Sequence, residues 1–297
     1  MLGEMLTVSV GVCAYNEGRN IGRCLESILS QKVEGFCIHE ILVISSGSTD
    51  NTDSVVKDYS VRDHRVRLIR QDKREGKNSA INLFLSEAKG DIMVLANADN
   101  RLAEGCLQAL LEPFLEEKVG VVGGHPIPVN TRDTITGVAT HMLWEMHHRI
   151  SLMHPKVGEL LAFRPLAKRL PTDTQSDEDL IRMELESLGL VTVYAPRAVV
   201  YNKGPTTVKD FLKQRTRVNI GERYMRRIHD YRIPTWDSKL LLNAFFSYMK
   251  DSRDSISKIM IAVILETWSR FYATLYVALD KGDKAVWQQV QTTKDLE

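Results

Sequence analysis

A chain of 297 residues, 43% apolar and 26% charged, holds enough material for a sizeable buried core and is too hydrophobic to be disordered. Its formal net charge of +1 excludes a general attraction to nucleic acid. The cysteines Cys13, Cys24, Cys37 and Cys106 match no zinc, redox-pair or disulfide spacing, and the first residues show no signal peptide, so a reducing, cytoplasmic setting is expected.

The first half alternates strands and helices. Valine-rich Thr7–Ala14 predicts a strand, and Ile21, Leu25, Ile28 and Leu29 predict one face of a helix over Asn20–Gln31. His39–Ile44 follows as a second strand, Asn51–Tyr59 as a helix and Val66–Arg70 as a third strand. Lys77–Ala88 reads as a helix ended by Lys89-Gly90, then Ile92–Ala96 as a fourth strand. This rhythm implies an α/β fold, a mainly parallel sheet flanked by helices. Further on, Val119–Gly123, Leu190–Tyr194 and Ala198–Tyr201 read as strands, and residues 130–157 as holding a helix with several histidines. From Thr207 onward the pattern is helical. The division expected is a nucleotide-binding domain over 1–232 and a helical C-terminal extension over 233–297.

In parallel sheets ligands bind beyond the carboxyl ends of the strands. Tyr15-Asn16-Glu17, Ser45–Asp50 and Asn97-Ala98-Asp99-Asn100 all fall at such ends, so they are expected to share a cleft. Asp99 there can hold a hard divalent cation against a diphosphate, although Asn97–Asn100 taken alone is equally a turn sequence.

Several motifs in order carry a resemblance: the opening strand with its Tyr15-Asn16-Glu17 turn, EILVISSGSTDNT, Gly76-Lys77 through Asn82, Gly90-Asp91 before a hydrophobic strand, GELLAFR, the acids near 177, and Gln214-Arg215-Thr216-Arg217. Over roughly residues 7–221 the chain resembles the family-2 glycosyltransferases. The resemblance implies the GT-A fold and inverting transfer from a nucleotide diphosphate sugar, a UDP- or GDP-sugar, with Mg²⁺ or Mn²⁺. It places Tyr15, Asn16, Glu17 and Ser46 at the base and ribose, and Lys77 at the nucleotide. It puts Asn97 and Asp99 on the Asp-x-Asp motif with Asp99 as the metal ligand, and Arg215 and Arg217 near the diphosphate and acceptor. Asp177 or Glu178 becomes the base that takes the acceptor proton. Such a carboxylate is what inverting transfer needs. The same acids also suit a charged helix N-terminus favoured by the dipole.

The chain departs from the family where Asn97 replaces the first acid, where Ser45-Ser46 replaces the acid before the Gly-Ser-Thr-Asp turn, and where Val218 replaces a tryptophan common in polymerising members. The last departure points to one sugar, or a few, moved to a discrete glycan or lipid-linked acceptor. The histidines His141, His147, His148 and His154 show no metal-ligand spacing. Basic residues from Lys203 to Arg232 suit a phosphate-rich partner, either the donor or anionic lipid head groups. Ile256–Leu279 is long enough to span a bilayer, but Glu266 and Arg270 interrupt it at an i,i+4 spacing that suits an ion pair. It is therefore read as a packed cap, a homo-oligomer interface or a peripheral membrane contact at the inner face. Two other readings stand beside the transferase: a nucleotidyltransferase of related fold, and a non-catalytic nucleotide-sugar binding protein.

Overall fold

The computed structural model describes residues 5–167, 169–172, 174, 176–229, 234–279 and 290–294; Arg232 and the expected domain boundary lie outside them. Strands β1 (Leu6–Ala14), β2 (Phe36–Ser46), β3 (Val66–Gln71) and β4 (Ile92–Asn97) pair in parallel, as expected. With β5 (Arg101–Leu102), β6 (Val119–Pro128), β7 (Leu160–Phe163) and β8 (Val191–Asn202) they make one sheet in the order β3-β2-β1-β4-β7-β6-β8-β5. The sheet is mixed, because β7 runs antiparallel to both β4 and β6, and β5 antiparallel to β8. The two short strands expected over 190–201 are one continuous strand, β8, which crosses Pro196 through an irregularity against β6.

The central strands are apolar on both faces because helices cover both. Val8, Val10 and Val12 of β1 pack with Ile21, Leu25 and Ile28 of α1 (Ile21–Leu29) and with Leu107 and Leu110 of α4 (Cys106–Leu111). On the opposite face Leu42, Ile44 and Leu95 meet Ile81 and Phe84 of α3 (Lys77–Glu87) and Leu180 and Ile181 of α6 (Asp177–Ser187). Full burial of each such side chain contributes about 1.5–3 kcal/mol. The turn between α3 and β4 is pinned where Ser9 Oγ donates to Glu40 and accepts from the Gly90 amide at 2.8 Å. A Cβ on Gly90 would stand 2.5 Å from the Ser9 nitrogen, so the position needs glycine.

A third cluster lies outside the sheet. Val138, Met142 and Ile150 of α5 (Ile135–Met153), Phe211 of α7 (Val208–His229), Ala244 and Tyr248 of α8 (Ser238–Asp251) and Ile259 and Ala262 of α9 (Ile256–Ala278) bury one another. The helical extension thus shares its core with α5 and α7. Helix α2 (Thr52–Arg62) packs against α1 and β3. No helix among the described residues is long and apolar enough to cross a membrane.

Candidate active site

The strand order turns at β1, which has β2 on one side and β4 on the other. In open α/β sheets such a switch point opens the crevice where ligands bind. Cys13 pairs with Asn97 in register, so Glu17 and Asp99 both leave the sheet on this rim. Asn16 sits at φ 52°, a conformation its short amide tolerates, and its Oδ1 accepts from the Thr49 amide at 2.8 Å. The Glu17 amide donates to Thr52 Oγ1 at 2.8 Å. Asp50 accepts from Thr52 and from the Gly18 amide; against burial, which raises it, these bonds hold its carboxyl below the usual range. The two turns are thereby sewn into one rim. Ser46 Oγ accepts from the Glu75 amide and so holds the loop that carries Arg74, whose guanidinium stacks 4.2 Å from the Tyr15 ring centroid.

Glu17 and Asp99 share a cation. Lys294 Nζ contacts Glu17 and lies 3.3 Å from Asp99 Oδ2. Burial and the neighbouring Asp99 push Glu17 up to about 6, against the pull of Lys294. Nothing in the sequence signals this contact, since Lys294 is 195 positions from Asp99. The tail is seated by Thr292 Oγ1, which donates to Asp210 at 2.8 Å. Asn97 is engaged elsewhere, donating its amide to Glu159 Oε2 at 2.8 Å. Glu159, at φ 61°, accepts from Asn100 as well, and its own amide donates to Glu178. Glu159 thus links the Asn97–Asn100 turn to the acids of α6. The GELLAFR motif contained it, but no spacing rule pointed to that role.

Across the cavity Lys77, at the start of α3, reaches Asp177 Oδ2 at 2.8 Å and Glu178 Oε1 at 3.8 Å. Burial lowers the Lys77 pKa, but the two acids outweigh it and hold the ammonium charged. Burial also raises Glu178 to about 7, against the pull of Lys77 and with help from Asp177 and Glu159. All three acids, Asp177, Glu178 and Asp179, lie in the first turn of α6, so dipole stabilisation and a place at the site coexist. Arg217 lies in the field of Glu159, Asp177 and Asp99.

Arg215 behaves otherwise. Its guanidinium grips Glu266 with two bonds of 2.8 and 3.0 Å, and Glu266 also accepts from Arg270 at 2.8 Å. Despite burial, Arg215 and Arg270 hold Glu266 at about 2. The expected Glu266–Arg270 pair is present, with Arg215 as its third member, so Arg215 is spent on α9 rather than held out toward a diphosphate. Much of the basic stretch is similarly engaged: Arg223 stacks on Trp236 at 4.5 Å. Two of the expected histidines pack as well, while His154 is exposed. His147 is buried edge-on to Trp144 and pushed down to about 3 by burial, and His148 stacks on His125 at 4.1 Å. No group of three or more metal-type ligands occurs among the described residues.

Tyr15, Ser46, Lys77, Asn97, Asp99, Asp177, Glu178, Arg215 and Arg217 line a single cavity of about 740 Å³. The model for glycosyl transferase family 2 matches residues 9–167, and that for glycosyl transferase family group 2 matches residues 92–279. The chain belongs to glycosyl transferase family 2. Among family relatives, glycosyltransferase GlyG of Streptococcus pneumoniae serotype 4 is 31% identical over 118 residues, covering 40% of this chain and 38% of that protein. The poly-beta-1,6-N-acetyl-D-glucosamine synthase of Staphylococcus aureus (strain COL) is 23% identical over 287 residues, 92% of this chain and 65% of that one. This chain therefore spans less than two thirds of the length of the curated relatives it matches. In fold it is similar to the mannosyltransferase PcManGT from Pyrobaculum calidifontis, solved with GDP-Man and Mn²⁺: the TM-score is 0.64 at 21% identity, over 94% of this chain and 89% of that one. Glucosyl-3-phosphoglycerate synthase from Mycobacterium tuberculosis, solved with Mn²⁺, UDP and phosphoglyceric acid, has a TM-score of 0.50 at 20% identity, over 74% and 80%. The fold is GT-A-like, as the motifs implied.

Proposed function

We propose that this protein moves a sugar from a nucleotide diphosphate donor to an acceptor hydroxyl with inversion. One observation carries the reading: a single cavity joins Asp99, which shares the Lys294 cation with Glu17, to a second carboxylate pair that shares Lys77. Tyr15, Asn16 and Ser46 would hold the base and ribose on the β1–β2 rim, with Arg74 fixing the Tyr15 ring. The Lys294 ammonium is a stand-in for a cation, so the residues present fit Mg²⁺ or Mn²⁺, held by Asp99 with Glu17 beside it. When bound, that ion supplies positive charge to the diphosphate as it leaves. Lys77 and Arg217 supply further positive charge on the same wall.

Glu178 takes the proton of the acceptor hydroxyl as the oxygen attacks the anomeric carbon. A carboxylate raised to about 7 suits that task, its pKa lying near neutral pH so that it can both take and keep a proton. Asp177 holds Lys77 beside it and is the alternative base. Val218, half-buried in the cavity, offers no aromatic platform, which favours transfer of one sugar or a few. The test is incubation of purified protein with UDP- and GDP-sugars, Mn²⁺ and candidate acceptors, with assignment of the product anomer by NMR. Glycoside of inverted configuration supports the reading; nucleotide monophosphate with a sugar 1-phosphate would instead mark the other phosphate-bond chemistries.

A further inference from the structure

The cavity does not end at the acids. It runs on between α5, α7, α8 and α9, where its walls become Leu143, Val218, Leu241, Phe245 and Val263. These side chains are half-buried although Met142, Phe211, Ala244 and Ala262 behind them are fully packed, so their exposed portions face the cavity. At the rim Leu242 lines the cavity and is 54% exposed. From there an apolar face continues outward over Phe246, Ile264, Trp268, Phe271 and Leu275, all exposed.

On α8 the exposed Lys239 and Lys250 flank Leu242 and Phe246, whereas the α9 part of the face carries no free charge. The charged residues of α9 are Lys258, Glu266 and Arg270; Lys258 donates to the Asp133 carbonyl at 2.7 Å, while Glu266 and Arg270 are bound to each other, with Arg215 on Glu266. A helix of 23 residues extends about 35 Å, so the stripe is long. A continuous exposed apolar face of this kind marks an interaction surface. An amphipathic helix that does not cross a bilayer lies in its plane with the apolar side down.

We infer that the apolar lobe receives the hydrocarbon chain of a membrane-lipid acceptor, drawn in past Leu242 while the α8–α9 face rests on the lipid surface. The inference rests on reading the polar lobe as a glycosyl transfer site. It assigns the acceptor a chemical class: a head group whose hydroxyl reaches Glu178, on a long apolar chain. A purely polar acceptor would leave the aliphatic walls against water. A second copy seated on the stripe would cover Leu242 and stop the mouth of the cavity.

The experiment uses the full chain, phosphatidylglycerol vesicles and a trace of a twelve-carbon alcohol bearing a photoreactive diazirine. Irradiation should label peptides that contain Leu143, Leu241 and Phe245. Phe245→Asp, which puts a charge in the lobe, should cut that labelling about tenfold. Val263→Trp, which fills the lobe without charge, should cut it similarly while sedimentation with the vesicles is unchanged. Labelling confined to the Trp268–Phe271 face, or insensitive to both variants, would overturn the inference. So would a dimer formed without vesicles that protects α9 from labelling. Nucleotide binding, measured by thermal shift in the same preparations, keeps the two readings apart. Lobe labelling without nucleotide binding would sink the transfer reading alone, and nucleotide binding without lobe labelling the lipid acceptor alone.

Discussion

On the proposed reading, Glu178 and Lys294 are the two side chains through which the chemistry is tested. Glu178→Gln removes a base but no donor contact, so turnover should fall on the order of 10²–10⁴-fold with donor affinity retained; full activity in both this variant and Asp177→Asn would remove the proposed base. Because the carboxyl is raised to about 7 in the folded protein, against an ordinary value of 4.5, ionising it costs folding stability as pH climbs from about 4.5 through 7. Glu178→Gln should therefore stabilise the protein at pH 8 and leave it unchanged near pH 4, and urea denaturation at the two pH values checks the sign. Activity of the native protein should rise through the same range as the base deprotonates. Lys294 holds the carboxylates proposed for the divalent ion, so on that reading an arriving ion must displace it. Lys294→Ala should lower the Mn²⁺ concentration needed for donor binding by about fivefold, the worth of a modest ion pair; an unchanged requirement would show that the ion binds elsewhere. At this scale the sequence was legible where a motif sat at the end of an element, as with Asp99 just beyond β4 and Lys77 and Glu178 in the first turns of α3 and α6. Glu159 and Lys294 were not, since a glutamate at positive φ and a lysine nearly two hundred positions away enter the site only through the tertiary fold.

Among the elements, β1–β4 were legible because strands covered on both faces are continuous apolar runs. β7 was not read as a strand: four residues of Leu-Leu-Ala-Phe carry no period of their own, and only its antiparallel pairing with β4 and β6 defines it. The β8 run was split at Pro196 because proline normally ends a ladder, yet here an irregularity in the β6 pairing accommodates it. Arg215 matches its motif and lines the cavity, yet its guanidinium is paired within the protein. Its buried pairing with Glu266 joins α7 to α9, and removing the acid strands two arginines. Glu266→Ala should destabilise the protein by about 3–5 kcal/mol in urea denaturation. A cost under about 1 kcal/mol, with tighter nucleotide binding as Arg215 is released, would return Arg215 to the diphosphate.

For the whole molecule, the expected boundary after residue 232 divides the helices from their shared core. Removing 233–297 would expose Val138, Met142 and Phe211, so a chain ending there should lose cooperative unfolding rather than leave an intact transferase. What the sequence conveyed at this scale was a GT-A-like core with helices after it; that those helices close one side of the cavity follows only from their packing with α5 and α7. The account as a whole stands on cation-dependent donor binding at Asp99, with the base held apart from it. Thermal shift with UDP- and GDP-sugars, with Mn²⁺ or with chelator, tests this in the native protein, Asp99→Ala and Glu178→Gln. The account predicts a rise in melting temperature that requires Mn²⁺, survives Glu178→Gln and vanishes in Asp99→Ala. An equal rise in chelator, or one that persists without the Asp99 carboxylate, would contradict it.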